Sequence, residues 1–375
     1  MSKKYDVAVL GGGVVGHTLA LLLARDRLRV ALVQAPTTPN LGPDIRAYAL
    51  NTAAKALLES VRAWPAAGAG VPAVTPVRHM WVADMVDEPA ALRFDGTDAE
   101  PLSWIVDVPA LEAALAQAVA YQPGVDRVTE RPAASLTVIC EGKRSRTRDA
   151  SGFDHDIRPY PQTAVAARLR GTRPHGGVAR QWFLGGDILA LLPLEGEDGH
   201  AVALVWSVSH ARAAELLALP ADAFAQAVNQ ACDLALGPLT LEGPAAGWPL
   251  ELSRARHWVQ PGLALAGDAA HAMHPLAGQG LNVGLADVAE LARVLHQREY
   301  WRDPGDLRLL RRYERARQAD VSAMSWATDG LYGLFGHEDT RIQALRRWGL
   351  RNFDRLSPLK QWAMRQAMGR PAHQP

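Results

Sequence analysis

A cluster of glycines near the N-terminus constrains the fold of this chain most strongly. Tyr5 to Leu10 is a short apolar run that predicts a buried strand, and Gly11, Gly13 and Gly16 follow it at once in the spacing G-x-G-x-x-G. His17 to Asp26 then has the pattern of a helix. Glycines at this spacing let the backbone approach a pyrophosphate, and the helix N-terminus favours negative charge beside it. The segment therefore predicts a dinucleotide-binding βαβ unit.

The second strand of this unit departs from the usual pattern at its end. Arg29 to Gln34 predicts the strand, and an acidic residue is expected about 20 residues after the glycines, where it binds a ribose hydroxyl. Gln34 stands there instead. Its amide can donate and accept hydrogen bonds but carries no charge, so we expect the adenosine end of a dinucleotide to be held more weakly.

Composition excludes several classes of protein. The chain has 375 residues but only two cysteines, Cys140 and Cys232, which excludes a disulfide framework and favours a reducing, cytoplasmic compartment. Forty basic and 39 acidic residues give a net charge of +1, which argues against a nucleic-acid binder. His271 and His274 lie three apart, but no nearby acidic residue or cysteine completes a ligand set, so we expect no metal site.

A second run, from Gly267 to Asp287, is more specific (GDAAHAMHPLAGQGLNVGLAD). It predicts a strand that ends in an exposed aspartate, then a loop rich in proline and glycine, then the start of a helix. Asp268 can accept hydrogen bonds from a sugar-like chain. The loop glycines let backbone N–H groups face a planar ligand, and the helix N-terminus favours negative charge placed against it.

This run resembles the second FAD fingerprint of the aromatic-ring flavoprotein monooxygenases of the para-hydroxybenzoate hydroxylase type. It is most similar to the branch that hydroxylates ubiquinone precursors. The resemblance implies that Asp268 binds the flavin ribityl chain and that Pro275 lies beside the reacting edge of the flavin. It also implies that backbone around the helix start faces the flavin; these residues are Gly278, Gly280, Leu281 and Asn282.

Further segments along nearly the whole chain resemble parts of the same family, and two of them carry candidate site residues. Arg46 lies in a segment whose arginine, in the family, lies over the flavin. Glu141 and Gly142 resemble the Asp-Gly segment that touches the flavin and nicotinamide pyrophosphates, with Glu in place of Asp. Only 15 residues separate Ala120 from Leu136, where the family has a small β-meander. These departures fall on the adenosine and NAD(P)H side of the expected site.

The resemblance implies an FAD-dependent hydroxylase of an aromatic ring, a prenylated phenol or quinol intermediate of ubiquinone biosynthesis. NADH or NADPH would reduce the flavin, and reduced flavin with O2 would form a C4a-hydroperoxide that passes one oxygen to the ring. The residues assign no general base. Two alternatives stay open, namely a soluble flavin hydroxylase of a small aromatic, and a catalytically impaired relative that acts as a scaffold in a biosynthetic assembly. A multi-enzyme assembly and a homodimer are both compatible with the sequence.

The order of the patterns predicts an α/β fold. We expect a Rossmann-like FAD-binding domain interleaved with an antiparallel-sheet substrate domain, followed by C-terminal helices. The predicted division is 1–76, 100–158 and 250–305 for the FAD-binding domain, 77–99 and 159–249 for the substrate domain, and 306–375 for the helical region. Within the FAD-binding domain, Arg46 to Arg62 and Val108 to Ala120 predict helices, the second with Pro109 in its first turn, and Ala66 to Pro76 predicts a connection.

The last 35 residues carry eight Lys or Arg and one acidic residue, and apolar residues including tryptophan recur among them at helical spacing. This pattern fits an amphipathic helix that contacts the inner membrane peripherally through 341–370. It equally fits a terminal helix packed on the domain with a solvated basic face. Both interpretations stay open.

Overall fold

The computed structural model describes residues 5–34, 44–66, 70–84, 90–96, 100–272 and 280–336. Their strands are β1 (Tyr5–Leu10), β2 (Val30–Val33), β3 (Ala47–Leu50), β4 (Val74–Val77), β5 (His79–Asp84), β6 (Ala90–Asp95), β7 (Ser103–Asp107), β8 (Val125–Val128), β9 (Ala134–Ile139), β10 (His155–Gly171), β11 (Val178–Leu184), β12 (Asp187–Pro193), β13 (Ala201–Ser209), β14 (Leu239–Ala255), β15 (Val259–Gln260), β16 (Leu263–Leu265) and β17 (His271–Ala272). Their helices are α1 (Val14–Arg25), α2 (Thr52–Ser60), α3 (Val108–Ala120), α4 (Arg146–Ala150), α5 (His210–Ala218), α6 (Ala221–Ala231), α7 (Gly280–His296) and α8 (Leu307–Gly336).

The first sheet has the strand order β15-β16-β9-β1-β2-β8. Its strands are parallel except β15, which pairs antiparallel with β16 at the edge. The apolar sequences of β1 and β9 are almost wholly buried, as expected of a parallel sheet covered by helices on its faces. Helix α1 packs against both α3 and α7, and these elements share one hydrophobic core.

The second sheet is largely antiparallel, with the order β17-β14-β10-β13-β12-β11-β5-β6. Alternate residues of β10, including Val165 and Leu169, pack with Leu216 of α5 and Phe224 of α6 in a second core. The two helices thus cover one face of this sheet. A small third sheet, β3-β7-β4, belongs to neither.

The chain moves between the sheets more than once, which confirms the predicted fold class. It leaves the first sheet after β2, returns with β8 and β9, leaves again for β10 to β14, and returns with β15 and β16. The domain limits given above stay a prediction, and β10 and β14 each cross one of them. Within the described ranges, no helix combines the length and the apolar character needed to cross a bilayer.

Two local predictions are wrong in part. The helix predicted over Arg46 to Arg62 begins only at Thr52, because Ala47–Leu50 forms β3, which pairs with β7, and Asn51 caps α2. The predicted connection up to Pro76 ends in strand β4, which also pairs with β7. In both cases a partner strand distant in sequence decides the local structure. By contrast, α3 has the bounds predicted for it.

Candidate active site

Four neighbouring parallel strands end at one edge of the first sheet. There Gln34 follows β2, Gly11 follows β1, Cys140 and Glu141 follow β9, and Asp268 lies in a 3-10 turn, Gly267–Ala269, shortly after β16. Open α/β sheets bind ligands outside the carboxyl ends of their strands. The fold therefore brings together, at one edge, residues that lie more than 250 positions apart in the sequence.

The glycine turn after β1 contains glycines of two kinds. Gly11 has a φ of +121°, and a Cβ there would lie 2.3 Å from the Cys140 carbonyl oxygen. A Cβ on Gly16 would lie 2.0 Å from the Gly11 oxygen, so both positions exclude a side chain by packing. A Cβ on Gly13 would meet nothing within 4 Å, and Gly13 provides no side-chain cap for α1. The first-turn amides of α1 are thus left open to an anionic ligand.

The Gly267 turn lies directly against this helix start. A Cβ on Gly267 would lie 3.3 Å from Val15 Cγ1, and a Cβ on Gly284 would lie 3.1 Å from Val15 Cγ2 and 3.3 Å from the Gly267 Cα. Val15 of α1 therefore contacts both the turn and helix α7. The structure thereby places the two glycine-containing motifs found in the sequence side by side.

Asp268 follows β16 as an accessible but closely surrounded carboxylate. Its side chain is exposed to solvent, yet enough protein surrounds it that desolvation raises the pKa of the carboxyl group. The charges of His271 and Lys143 oppose this rise. An accessible carboxylate enclosed in this way suits a ligand that donates hydrogen bonds, such as a chain of hydroxyl groups.

The carboxylate of Glu141 is engaged within its own loop. It accepts hydrogen bonds from Ser145 Oγ at 2.6 Å, from Thr147 Oγ1 at 2.8 Å and from the Thr147 amide at 3.2 Å. These contacts hold the loop that precedes α4. Gly142 has a φ of +77° and space around its Cα, so the backbone of this segment is open to a ligand.

Two cations of the same segment, Lys143 and Arg148, connect this loop to its surroundings. Lys143 Nζ lies 2.9 Å from Glu251 Oε1 of β14, and burial lowers the pKa of this lysine while Asp268 raises it. Arg148 of α4 is almost fully buried and donates to the Ala269 carbonyl at 3.3 Å. The loop is thus tied both to the second sheet and to the turn that carries Asp268. The contacts depend on chain segments that only the fold brings together.

Arg46 is held by carboxylates at the start of β3. Its Nη2 lies 2.6 Å from Asp44 Oδ2 and 3.4 Å from Glu112 Oε1, and the bond to Asp44 raises its pKa. Tyr48, two residues further, senses the charges of Arg46 and Asp268, and burial raises its pKa. Tyr48 was not predicted from the sequence, because its segment was assigned to a helix.

The start of α7 is anchored by a side chain. Asn282 accepts a hydrogen bond from the Asn51 amide at 3.0 Å and donates one to the Ala49 carbonyl at 2.8 Å. Leu281 packs against the first core, and a Cβ on Gly280 would meet open space. The backbone at this helix start is therefore fixed in place and accessible. Pro275 and Gly278 lie outside the described residues.

A buried ionic network lies behind the Asp268 turn. Asp287 of α7 accepts hydrogen bonds from His271 Nε2 at 2.6 Å, from Arg317 Nε at 2.8 Å and from the Gly267 amide at 3.0 Å. Burial alone would raise the pKa of Asp287, but its bonds to His271 and Arg317 outweigh burial and lower it. Asp287 lies 16 residues from His271 in the sequence, and helix α7 brings its carboxylate to the imidazole. His274 lies outside the described residues.

One face of the second sheet forms a wall beside the third sheet. Arg168 of β10 forms an ion pair with Asp107 at the end of β7 and donates to the Arg46 carbonyl at 3.3 Å, so this face of β10 points toward the third sheet and the segment that carries Arg46. By strand alternation and register, Ser207 and Gln181 lie on the same face. Both residues are nearly buried, and neither side chain has a hydrogen-bond partner among the described residues. They offer polar groups to a ligand between the sheets.

Residues 112–327 match the protein family described as FAD binding domain. The chain is 33% identical to ubiquinone hydroxylase UbiL of Rhodospirillum rubrum, over 98% of this chain and 90% of that protein. It is 30% identical to 3-demethoxyubiquinol 3-hydroxylase of Escherichia coli, over 98% and 99% of the two chains. This chain belongs to the FAD-dependent monooxygenase family. The predicted family, activity class and flavin cofactor are thereby confirmed.

A solved structure shares the fold of this monooxygenase. PqsL of Pseudomonas aeruginosa, a probable FAD-dependent monooxygenase, superposes with a TM-score of 0.70 at 19% identity, over 93% of this chain and all of that one. The residues at the sheet edge fit an FAD molecule in kind. The edge has uncapped helix amides and close-packed glycines suited to a pyrophosphate, and an accessible enclosed carboxylate suited to hydroxyl groups.

Proposed function

We propose that this monooxygenase hydroxylates the aromatic ring of a prenylated phenol or quinol intermediate in ubiquinone biosynthesis, with NADH or NADPH as reductant and O2 as oxidant. The observation that carries the proposal is the likeness to ubiquinone hydroxylases along nearly the full length of both chains. An aromatic substrate is also consistent with the partly apolar wall of the second sheet, on which Ile188 and Val205 lie near Ser207.

We propose that FAD lies along the carboxyl edge of the first sheet. Its pyrophosphate would contact the turn of Gly11, Gly13 and Gly16, and its adenosine ribose would reach Gln34. Asp268 would bind the ribityl chain, and the backbone of Gly280 to Asn282 would face the flavin ring. The remaining contacts we assign to Arg46, Glu141, Gly142, Pro275, Gly278 and Leu281. The convergence of these segments, where described, supports this placement.

Bound FAD supplies the redox chemistry, accepting a hydride from the nicotinamide and activating O2 for transfer of one oxygen atom. The chain itself orients the reactants and excludes water. The N-terminus of α7, fixed by Asn282, favours negative charge on the flavin edge beside it. Ser207 and Gln181 would hydrogen-bond the oxygen substituents of the substrate ring, which positions the ring against the flavin.

Gene deletion followed by quinone analysis tests this function. Loss of the protein should accumulate a prenylated intermediate that lacks one ring hydroxyl, and mass spectrometry of that compound identifies the position. Complementation with the wild-type chain should restore ubiquinone, whereas the Gly13→Ala variant should not. A normal quinone profile, together with activity on a small water-soluble phenol, would identify a soluble aromatic hydroxylase instead. Restoration by a variant that binds no FAD would identify a scaffold.

We also propose that residues 341–370, which lie outside the described residues, contact the membrane that holds the substrate. Eight basic residues in the last 35 would attract an anionic surface. The full chain should float with anionic vesicles and a chain truncated after residue 336 should not. Equal flotation of the two would overturn this proposal without affecting the assignment of the reaction.

A further inference from the structure

His17 and Gln34 form a pair beside the glycine turn, and the proposed function gives His17 no role. His17 is the first residue after Gly16 and is 7% exposed. Its Nδ1 lies 3.1 Å from the Gly13 carbonyl oxygen, and its Nε2 lies 2.9 Å from Gln34 Nε2. The Gln34 side chain covers the turn, since a Cβ on Gly12 would lie 2.8 Å from its Nε2. The pair therefore lies where the turn meets the end of β2.

These contacts determine both the tautomer of the ring and the orientation of the amide. A carbonyl oxygen only accepts, so Nδ1 of His17 carries the hydrogen. Burial lowers the pKa of His17 from the ordinary value of histidine, so the ring is neutral at pH 7 and its Nε2 is an acceptor. Only the N–H of the Gln34 amide can donate to it. The amide oxygen then points away from His17, and no described residue donates a hydrogen bond to it.

We propose that His17 positions Gln34 so that its amide oxygen accepts a hydrogen bond from an adenosine ribose hydroxyl of FAD. The pair thereby replaces the acidic residue that dinucleotide-binding folds use at this position. This inference rests on the FAD placement proposed above. A glutamine alone could present either its oxygen or its nitrogen to the ribose, and His17 selects the oxygen.

Protonation of His17 reverses this arrangement. Both ring nitrogens then donate, so the amide must turn its oxygen toward Nε2 and present its NH2 group to the ribose. The charged groups that face His17 are Glu112 of α3, which raises its pKa, and Arg127 of β8, which lowers it. Affinity for FAD is therefore constant above the pKa of His17 and falls as the pH drops through it, because the acceptor is lost.

Titration of the full-length apoprotein with FAD, followed by flavin fluorescence, tests this proposal between about pH 8 and pH 5. In the wild type the dissociation constant should rise about three- to tenfold at low pH, the worth of one hydrogen bond. His17→Phe leaves the orientation of the Gln34 amide unselected, so its affinity for FAD should lie below the wild-type value at pH 8 and should not change with pH. Gln34→Glu should lose the rise, because protonated His17 donates to one carboxylate oxygen and the other still accepts. His296→Gln removes an exposed histidine and should behave as the wild type.

The outcomes separate this inference from the proposed function. Absence of FAD binding at any pH would overturn the proposed function. FAD binding whose affinity is independent of pH in the wild type, or unchanged by His17→Phe, would overturn the role of His17 alone. Long-range ¹H–¹⁵N spectra of the wild type give a check that needs no variant. They should show the Nδ1–H tautomer for His17, and a neutral ring protonated on Nε2 would contradict the proposal.

Discussion

At the scale of single residues, Gly16 and Gly13 of the first turn differ in the space available for a side chain. Gly16→Ala places a Cβ 2.0 Å from the Gly11 oxygen, so it should cost stability at the upper end of the about 1–3 kcal/mol typical of overpacking. Gly13→Ala has space and an extended backbone, so the free energy of unfolding should change by less than about 0.5 kcal/mol. Denaturant unfolding of the apoproteins measures both.

For FAD binding, in contrast to stability, Gly13→Ala should have a large effect. The methyl group of Gly13→Ala would occupy the space beside the open amides of α1, so we expect affinity to fall about ten- to a hundredfold, as when charge-assisted hydrogen bonds are lost. Equilibrium titration with FAD gives the values. Wild-type affinity in a stable Gly13→Ala protein would show that the pyrophosphate lies elsewhere.

The Asp268 carboxylate should lower the stability of the apoprotein at pH 7 and strengthen the binding of FAD. Its pKa is raised in the folded apoprotein, so its contribution to stability is complete below its unfolded pKa and is lost as the pH rises through the folded value. Asp268→Asn should therefore raise the melting temperature of the apoprotein at pH 7. It should also weaken FAD binding about ten- to a hundredfold, since a charged acceptor is lost. Asp222→Asn, at an exposed position of α6, should change neither quantity.

At the scale of elements, the Asp287 network fixes α7 and α8 behind the Asp268 turn. Asp287→Asn leaves the buried Arg317 guanidinium without its buried carboxylate partner, so the free energy of unfolding should fall by about 3–5 kcal/mol. Asp320→Asn removes the exposed partner of the same arginine and should cost no more than about 1 kcal/mol. Equal effects of the two substitutions in denaturant unfolding would refute a structural role for the buried pair.

Local patterns predicted those elements whose stability is decided locally. The strand, turn and helix at the N-terminus and helix α3 with its Pro109 were found correctly. Strand β14 was missed because Gly243, Pro244 and Gly247 favour a loop, and its structure depends on pairing along β10. Strand β3 was mistaken for a helix because its structure also depends on pairing with a distant strand, β7. Non-local pairing has no signature in a short window of sequence.

The candidate site likewise contains some residues that local sequence predicts and others that it does not. The glycine turn and Asp268 could be predicted because each lies in a contiguous motif. The surroundings of Tyr48, Lys143 and Ser207 could not, because they depend on pairing and packing between segments that are distant in the sequence. The departure at Gln34 was visible in the sequence, but its pairing with His17 was not, because the two are 17 residues apart and meet only across β2 and α1.

At the scale of the whole molecule, Arg168 joins the second sheet to the third sheet and to the segment that carries Arg46. Arg168→Met removes its contacts with Asp107 and the Arg46 carbonyl, so the wall of the second sheet should move relative to Arg46 and the FAD edge. Arg170→Met, two residues along β10, removes ion pairs with Glu195 and Glu242 that do not involve the third sheet. We expect FAD-dependent turnover to fall at least about tenfold in the first variant and to stay within about twofold in the second. Equal turnover of the two variants in steady-state kinetics would contradict this prediction.

The central claim is that a flavin bound at the carboxyl edge of the first sheet transfers an oxygen atom from O2 to a prenylated ring. It is tested most directly with the purified FAD-loaded protein, a prenylated phenol, NADH or NADPH, and ¹⁸O2. Mass spectrometry of the product should find one ¹⁸O atom in a new ring hydroxyl, and Gly13→Ala, assayed at an FAD concentration that saturates only the wild type, should give less of this product. Oxidation of the reductant without labelled product, or label derived from water, would contradict the claim.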